Sequence, residues 1–172
     1  ELPKRYSAEI ATVRRQYPAD DFLVPEAPVR LDFREAIQML RDASYEVNDL
    51  DDLSTETERA LGKIVRDKYK TDFYAVDKFP LDIRPFYTMP DANDKRYSNS
   101  YDFFMRGQEI LSGAQRVHDA KFLEERLAQA QIPVSAMKHY VDAFRLGAPP
   151  HAGGGIGCLL YTSDAADDLL CV

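Results

Sequence analysis

Cysteine is missing from the first 157 residues; the two present, Cys158 and Cys171, both lie in the terminal stretch 158–172. Neither has a partner at metal-ligand or redox spacing, so a disulfide framework and a thiolate zinc site are excluded as organising features. A reducing compartment, the cytosol, is the natural setting. An excess of positive charge is also missing. Lys and Arg number 22 against 29 Asp and Glu, a net charge of −7, with a pI near 5.0. A compact nucleic-acid module is usually basic, so this piece is not expected to be the main contact with RNA, although other parts of a longer protein could be. No apolar run approaches the ~18 residues of a membrane helix. The opening Glu1-Leu2-Pro3-Lys4-Arg5 is not followed by the apolar region of a signal peptide. It also has no initiating Met, so a piece of a longer chain is expected. No internal repeat is visible.

Hydrophobic residues make up 45% and aromatics 11% of 172 residues, enough for one core. Tyr6, Ile10, Val13 and Tyr17 recur at helical spacing and predict a helix over 1–17, stopped by Pro18. Residues 18–30 hold three prolines and read as a loop. Phe33, Ala36, Ile37 and Leu40 form an apolar stripe, with Asp32 as N-cap. An acidic loop, Asn48 to Asp52, precedes Thr55-Glu56-Thr57-Glu58, a capping-box pattern. It predicts a helix carrying Leu61, Ile64, Val65 and Tyr69 on one face. Asp72 to Phe79 and Ile83 to Met89 then read as strands, Pro85 marking an edge or a strand start in the latter. Pro90 to Asn99 is a polar loop. Ser100 to Met105 and Glu109 to Val117 read as antiparallel strands joined by a short turn. Two helices follow, one marked by Leu123, Leu127 and Ala130. The other is capped by Ser135 and buries Met137, Tyr140, Val141 and Phe144. The order helices, strands, helices predicts an α+β fold on an antiparallel sheet.

Two segments are chemically unusual. Arg106-Gly107-Gln108-Glu109-Ile110-Leu111-Ser112-Gly113-Ala114-Gln115-Arg116-Val117-His118-Asp119 places Glu, Ser, Gln and Arg on one strand. Such groups are costly to bury without partners. A ligand with charges of both signs would supply them, and a solvated strand face with surface ion pairs accounts for them equally well. The second segment is the glycine run at 153–157. It lets a backbone approach a ligand closely, but it lacks the Lys-Ser/Thr of a phosphate-binding P-loop, and by itself a flexible linker explains it better.

Taken together, this strand and Phe144-Arg145-Leu146-Gly147-Ala148-Pro149-Pro150-His151-Ala152-Gly153-Gly154-Gly155-Ile156-Gly157 resemble class II aspartate–tRNA ligases of the archaeal and eukaryotic cytosolic type. Thr71-Asp72-Phe73-Tyr74, Arg84-Pro85-Phe86-Tyr87-Thr88-Met89-Pro90 and Asn99-Ser100-Tyr101-Asp102 fit the same family. The resemblance runs collinearly from about residue 1 to Gly157. Asparaginyl enzymes are the nearest relatives and differ around Ser112 to Arg116.

The resemblance implies the class II antiparallel sheet flanked by helices, present in part. It also implies joining of L-aspartate to ATP and transfer of the aspartyl group to tRNA(Asp) in the cytoplasm, by a full-length homodimer with no membrane association. Residue by residue, it implies that Glu109 binds ATP through Mg2+, a hard cation suited to carboxylate oxygen. Ser112 would touch both the metal and the substrate aspartate. Arg116 would grip the substrate side-chain carboxylate with its planar fork, so that an uncharged amide would leave it unpaired. Gly153 to Gly157, with Gly155 and Gly157 foremost, would lie against the adenylate. Class II activation relies on positioning and charge neutralisation, so His118 and His151 are expected to be structural. Gln108 and Gln115 receive no assignment. On an ideal strand Ser112 and Arg116 share a face while Glu109 points away; a bulge near Ser112-Gly113 is expected to reconcile them.

Domain expectations follow. Residues 1–157 are part of a catalytic domain; the anticodon-binding barrel and the first two class II motifs would lie outside the chain. After Gly157 the family continues Leu-Glu-Arg, the arginine stacking on adenine, whereas here Cys158-Leu159-Leu160-Tyr161-Thr162-Ser163-Asp164 follows. Residues 158–172 are therefore expected to be foreign, through a frameshift or adapter read-through, and the chain alone is expected to be marginally stable and to form no aspartyl-adenylate. The alternative is a non-catalytic class II paralogue that acts as a binding or regulatory module.

Overall fold

The computed structural model describes residues 2–157, with side chains from Lys4 onward. The expectation for 158–172 lies outside the described residues. Five strands form one sheet in the order β1-β2-β3-β4-β5: Val29–Asp32, Phe73–Asp77, Ser100–Met105, Gln108–Gln115 and Ala152–Ile156. The pair β1/β2 is parallel and the rest are antiparallel. The α+β expectation holds, with one parallel pair added. β1 begins in the stretch read as a proline loop and ends at the Asp32 cap. Only Leu31 of its four residues is buried, so it shows no apolar alternation.

Two helices cover one face of β1–β3. Helix α3, Phe33–Asp42, starts at Asp32, whose carboxylate accepts from the Arg34 N–H at 2.9 Å, as its capping pattern predicts. Helix α4, Thr55–Tyr69, is capped one residue earlier than expected, by Ser54, whose hydroxyl accepts from the Thr57 N–H. Phe33, Ile37 and Leu40 of α3 and Leu61 and Val65 of α4 bury against Leu31, Tyr74, Val76 and Phe104 of the strands. Near its middle α4 crosses the turn between β3 and β4. A Cβ on Gly62 would stand 2.4 Å from the Gly107 Cα. That turn is two residues long, Met105 pairing with Gln108, and Arg106 and Gly107 both have positive φ. This is the geometry tight hairpins favour.

Other boundaries differ from the sequence reading. The N-terminal helix divides into α1, Leu2–Arg5, and α2, Ser7–Gln16, with Tyr6 out of helical conformation between them. Residues 83–89 do not form a strand. A 3-10 turn at Leu81–Ile83 leads into a second turn, in which the Thr88 N–H donates to the Pro85 carbonyl, and the segment forms a single backbone bridge to the end of β4, Thr88↔Arg116. Ser135 caps nothing; it lies within a 3-10 turn, Val134–Met137, ahead of α6, Lys138–Arg145. Helix α5, Ala120–Gln129, is capped by Asp119, and with α6 it closes a second cluster around Val117, Leu123, Leu127, Val141 and Phe144. The glycine run is strand β5 rather than a linker.

The opposite sheet face stacks its aromatics on one another, Phe73 on Phe103 at 5.6 Å and Tyr101 against Phe103 at 5.8 Å. Met105 and Ile156 on that face are exposed.

Candidate functional site

Strand pairing decides which side chains meet, because directly opposed residues share a face. Along β3, Ser100, Asp102 and Phe104 face the α3/α4 side and are buried. Ser112 pairs with Asp102 and Ala114 with Ser100. Between Phe103 and Phe104 the register shifts, so that Leu111 opposes Phe103 while Glu109 opposes Phe104. Ile110 is the extra residue. A bulge therefore exists, as expected, but at Ile110 rather than at Ser112-Gly113. It places Glu109, Ser112 and, by alternation, Arg116 on one face. Gln115 pairs with Ala152 on the other face and receives the Asn99 amide at 2.8 Å.

Beyond the helices, this face opens into a cavity of about 410 Å3 lined by Arg84, Tyr87, Thr88, Ser112, Arg116 and the backbone of Gly153 to Gly155. The Arg116 guanidinium lies over the Tyr87 ring, 4.1 Å from its centroid. Among the described residues it has no carboxylate partner. A half-buried arginine that lines a cavity, with the Tyr140 hydroxyl beside it and no carboxylate partner, has the geometry and charge suited to an anion. Gly155 opposes Ser112, and a Cβ there would meet nothing within 4 Å. The missing side chain thus leaves the face flat and open. Gly157 differs: its N–H is already given to the Ile110 carbonyl at 3.2 Å.

Two residues escaped the sequence reading as site residues. Arg84 holds Asp102 through both terminal nitrogens, at 2.6 and 3.2 Å, and its NH1 also donates to the Ser112 hydroxyl at 3.0 Å. The signal was an aspartate alternating with Ser100 and Phe104 on a core-facing strand, since a carboxylate buried there needs a cation. Thr88 also lines the cavity, and its buried hydroxyl has no partner in the protein.

Acidic groups crowd the rim where α4 meets β4. Burial, then Glu109, pushes Glu58 up to about 7. Partial burial, then Asp102, raises Glu109, and Arg84 opposes this. Glu109 keeps contact with solvent and, unlike Asp102, has no ion-pair partner among the described residues. Of the three histidines, His118 and His151 keep their side chains out of the cavity lining, although the His151 carbonyl accepts from the Arg116 N–H at 3.0 Å. His151 stacks on Phe144 at 5.6 Å, and the His118 Nδ1 is buried without a partner. No helix of the described residues is long and apolar enough to cross a membrane. No group of three or more His, Cys, Asp or Glu among them could hold a metal ion.

Residues 5–159 match the model of the class II tRNA synthetases (D, K and N). The cytoplasmic aspartate–tRNA ligase of Caenorhabditis elegans is 58% identical over 91% of this chain and 29% of its own length. The aspartyl-tRNA synthetase structure from Entamoeba histolytica aligns with a TM-score of 0.86 at 50% identity, covering 91% of this chain and 32% of that one. The asparaginyl-tRNA synthetase structure from Pyrococcus horikoshii aligns at 0.74 and 26% identity, covering 89% and 37%. The chain spans roughly a third of the length of these relatives.

Proposed function

The chain belongs to the class II tRNA synthetases of the D, K and N group, and from that premise we propose that it is part of a cytoplasmic aspartate–tRNA ligase. The full-length protein activates L-aspartate with ATP and transfers it to tRNA(Asp). The observation that carries this reading is Arg116, an arginine in the cavity with no carboxylate of its own. It suits a ligand whose side chain ends in a carboxylate, and an amide would leave it unpaired. The Ser112 hydroxyl on the same face offers a second contact to the substrate.

The residues present fit ATP and Mg2+. The Ile110 bulge turns one unpaired carboxylate, Glu109, to the same face as the Ser112 hydroxyl. Mg2+ is commonly held by one or two carboxylates together with substrate phosphates and water, so a protein donor set this small is adequate. Bound there, the metal would neutralise phosphate charge. Gly155 leaves the adjoining wall flat enough for the nucleotide. Gly157, whose N–H is committed to Ile110, could meet the nucleotide only by close approach of its backbone.

The test is amino-acid-dependent ATP–pyrophosphate exchange by the full-length protein. Exchange is expected with aspartate and not with asparagine. Arg116→Leu should lower kcat/KM for aspartate by about 30-fold or more, the usual cost of truncating one partner of a buried charge pair. Its melting temperature should stay close to that of the unmodified protein. Unchanged kinetics would remove Arg116 from the pocket, and exchange with asparagine instead of aspartate would overturn the substrate assignment.

A further inference from the structure

We infer that Arg84 is a positioning residue of this site, acting through Ser112; the inference rests on the proposed activity. An arginine can pair with a carboxylate side-on, through Nε and one terminal nitrogen, or end-on, through both terminal nitrogens. Arg84 takes Asp102 end-on, NH2 to Oδ2 at 2.6 Å and NH1 to Oδ1 at 3.2 Å. The end-on choice leaves its buried Nε with no partner, a cost that a purely stabilising pair could avoid. What this orientation gains is reach, since NH1 extends past Asp102 and donates to the Ser112 hydroxyl at 3.0 Å.

That donation constrains Ser112. A serine hydroxyl has one hydrogen and two lone pairs on a freely turning rotor. Once a cationic donor occupies one lone pair, the hydrogen must point away from Arg84, and the second lone pair is what remains for another donor or a cation. The hydroxyl hydrogen is thereby confined to the two rotor positions that face away from Arg84 before any ligand arrives. Arg84 can impose this because it is itself fixed. Asp102 is 3% exposed, and the Phe79 ring lies under the guanidinium at 4.0 Å to its centroid. A lysine could keep the charge beside Asp102, but its single ammonium lacks the planar fork that spans both acceptors.

The experiment is a double-mutant cycle in the full-length protein, read as kcat/KM for aspartate in ATP–pyrophosphate exchange. The variants are Arg84→Met, Ser112→Ala and the two combined. Arg84→Met should lose about tenfold or more, the worth of a hydrogen bond involving a charged group. In the Ser112→Ala background it should cost nothing further, to within about twofold, because its target is gone. Losses that multiply in the combined variant would overturn the inference and make Arg84 a structural residue. If Arg84→Met does not fold, Arg84→Lys enters the same cycle; if neither folds, the inference fails. The unmodified protein separates the two claims: no aspartate-dependent exchange there refutes the proposed activity and not the role of Arg84.

Discussion

One sheet face serves two purposes in this molecule. Under α3 and α4 it presents Leu31, Tyr74, Val76 and Phe104, all at most 2% exposed. Further across the sheet, on β3 and β4, it presents Asp102, Glu109 and Ser112, with Arg116 just past the end of β4. One sheet runs through both halves, so the change comes from the side chains and from the bulge at Ile110 that turns Glu109 to this face. Phe79 and Arg84 form the seam. The ring belongs to the core cluster, and the guanidinium stacked on it belongs to the cavity. Where helices cover the sheet, residues are held by apolar packing. Where they stop, polar groups are held by one another, and some, such as Arg116, are held open.

The comparison breaks most visibly if the covered half is damaged. Phe104 is 1% exposed and stacks on Tyr74 at 5.3 Å. Phe104→Ala should destabilise the protein by about 3–5 kcal/mol, measured by denaturant or thermal unfolding. Arg116→Leu, on the open half, should leave that measurement nearly unchanged while removing activity. Equal destabilisation by both would mean that the cavity is part of the core. Next in size is Gly62→Ala. The new Cβ would stand 2.4 Å from a backbone atom of Gly107, which cannot turn aside as a side chain could. Overpacking of this kind costs about 1–3 kcal/mol, although alanine is the better helix former.

The two halves also differed in how far the sequence disclosed them. The covered half was legible because its signals are local. The Phe33, Ala36, Ile37 and Leu40 stripe and the Asp32 cap both appear where the spacing puts them. β1 was missed because its pairing with β2 is a tertiary fact, and four residues with one buried position carry no period. The helix cap slipped from Thr55 to Ser54 because Ser, Thr and Thr offer three near-equivalent caps within four positions. On the open half, Glu109, Ser112 and Arg116 were named from family resemblance, and the structure brings them to one face. The bulge that does so sits two residues from where it was expected, since nothing in Ile110 announces an unpaired position. Arg84 was invisible as a site residue. Its partners lie 18 and 28 positions away, a distance that no local pattern spans.

Glycines sharpen the same contrast. Gly62 makes room for protein, whereas Gly155 faces open space. Gly155→Val should therefore change stability by no more than about 0.5 kcal/mol, β-branched residues being well suited to a strand. In the full-length protein it should nevertheless raise the KM for ATP in the exchange assay, because the added methyls occupy the nucleotide's wall. An unchanged KM for ATP would place the nucleotide elsewhere.

The smallest expected effect lies at the boundary itself, where Glu58 of the covering helix meets Glu109 of the open strand. Burial first, then the charges of Glu109, Asp52 and Asp102, raise the Glu58 carboxyl to about 7 from its ordinary 4.5, with Arg59 opposing them. Between those values the folded chain holds a proton that the unfolded chain releases. Glu58 therefore contributes stability that is fully present below about pH 4.5 and is lost as the pH rises through about 7. Glu58→Gln fixes the side chain in the neutral form. Its melting temperature should match that of the unmodified protein near pH 4.5 and exceed it increasingly up to pH 8. The difference is expected to be modest, because the group is only partly buried and water screens its charge. A difference that stays constant with pH would mean that Glu58 ionises normally, and that the acidic rim between the two halves is not strained.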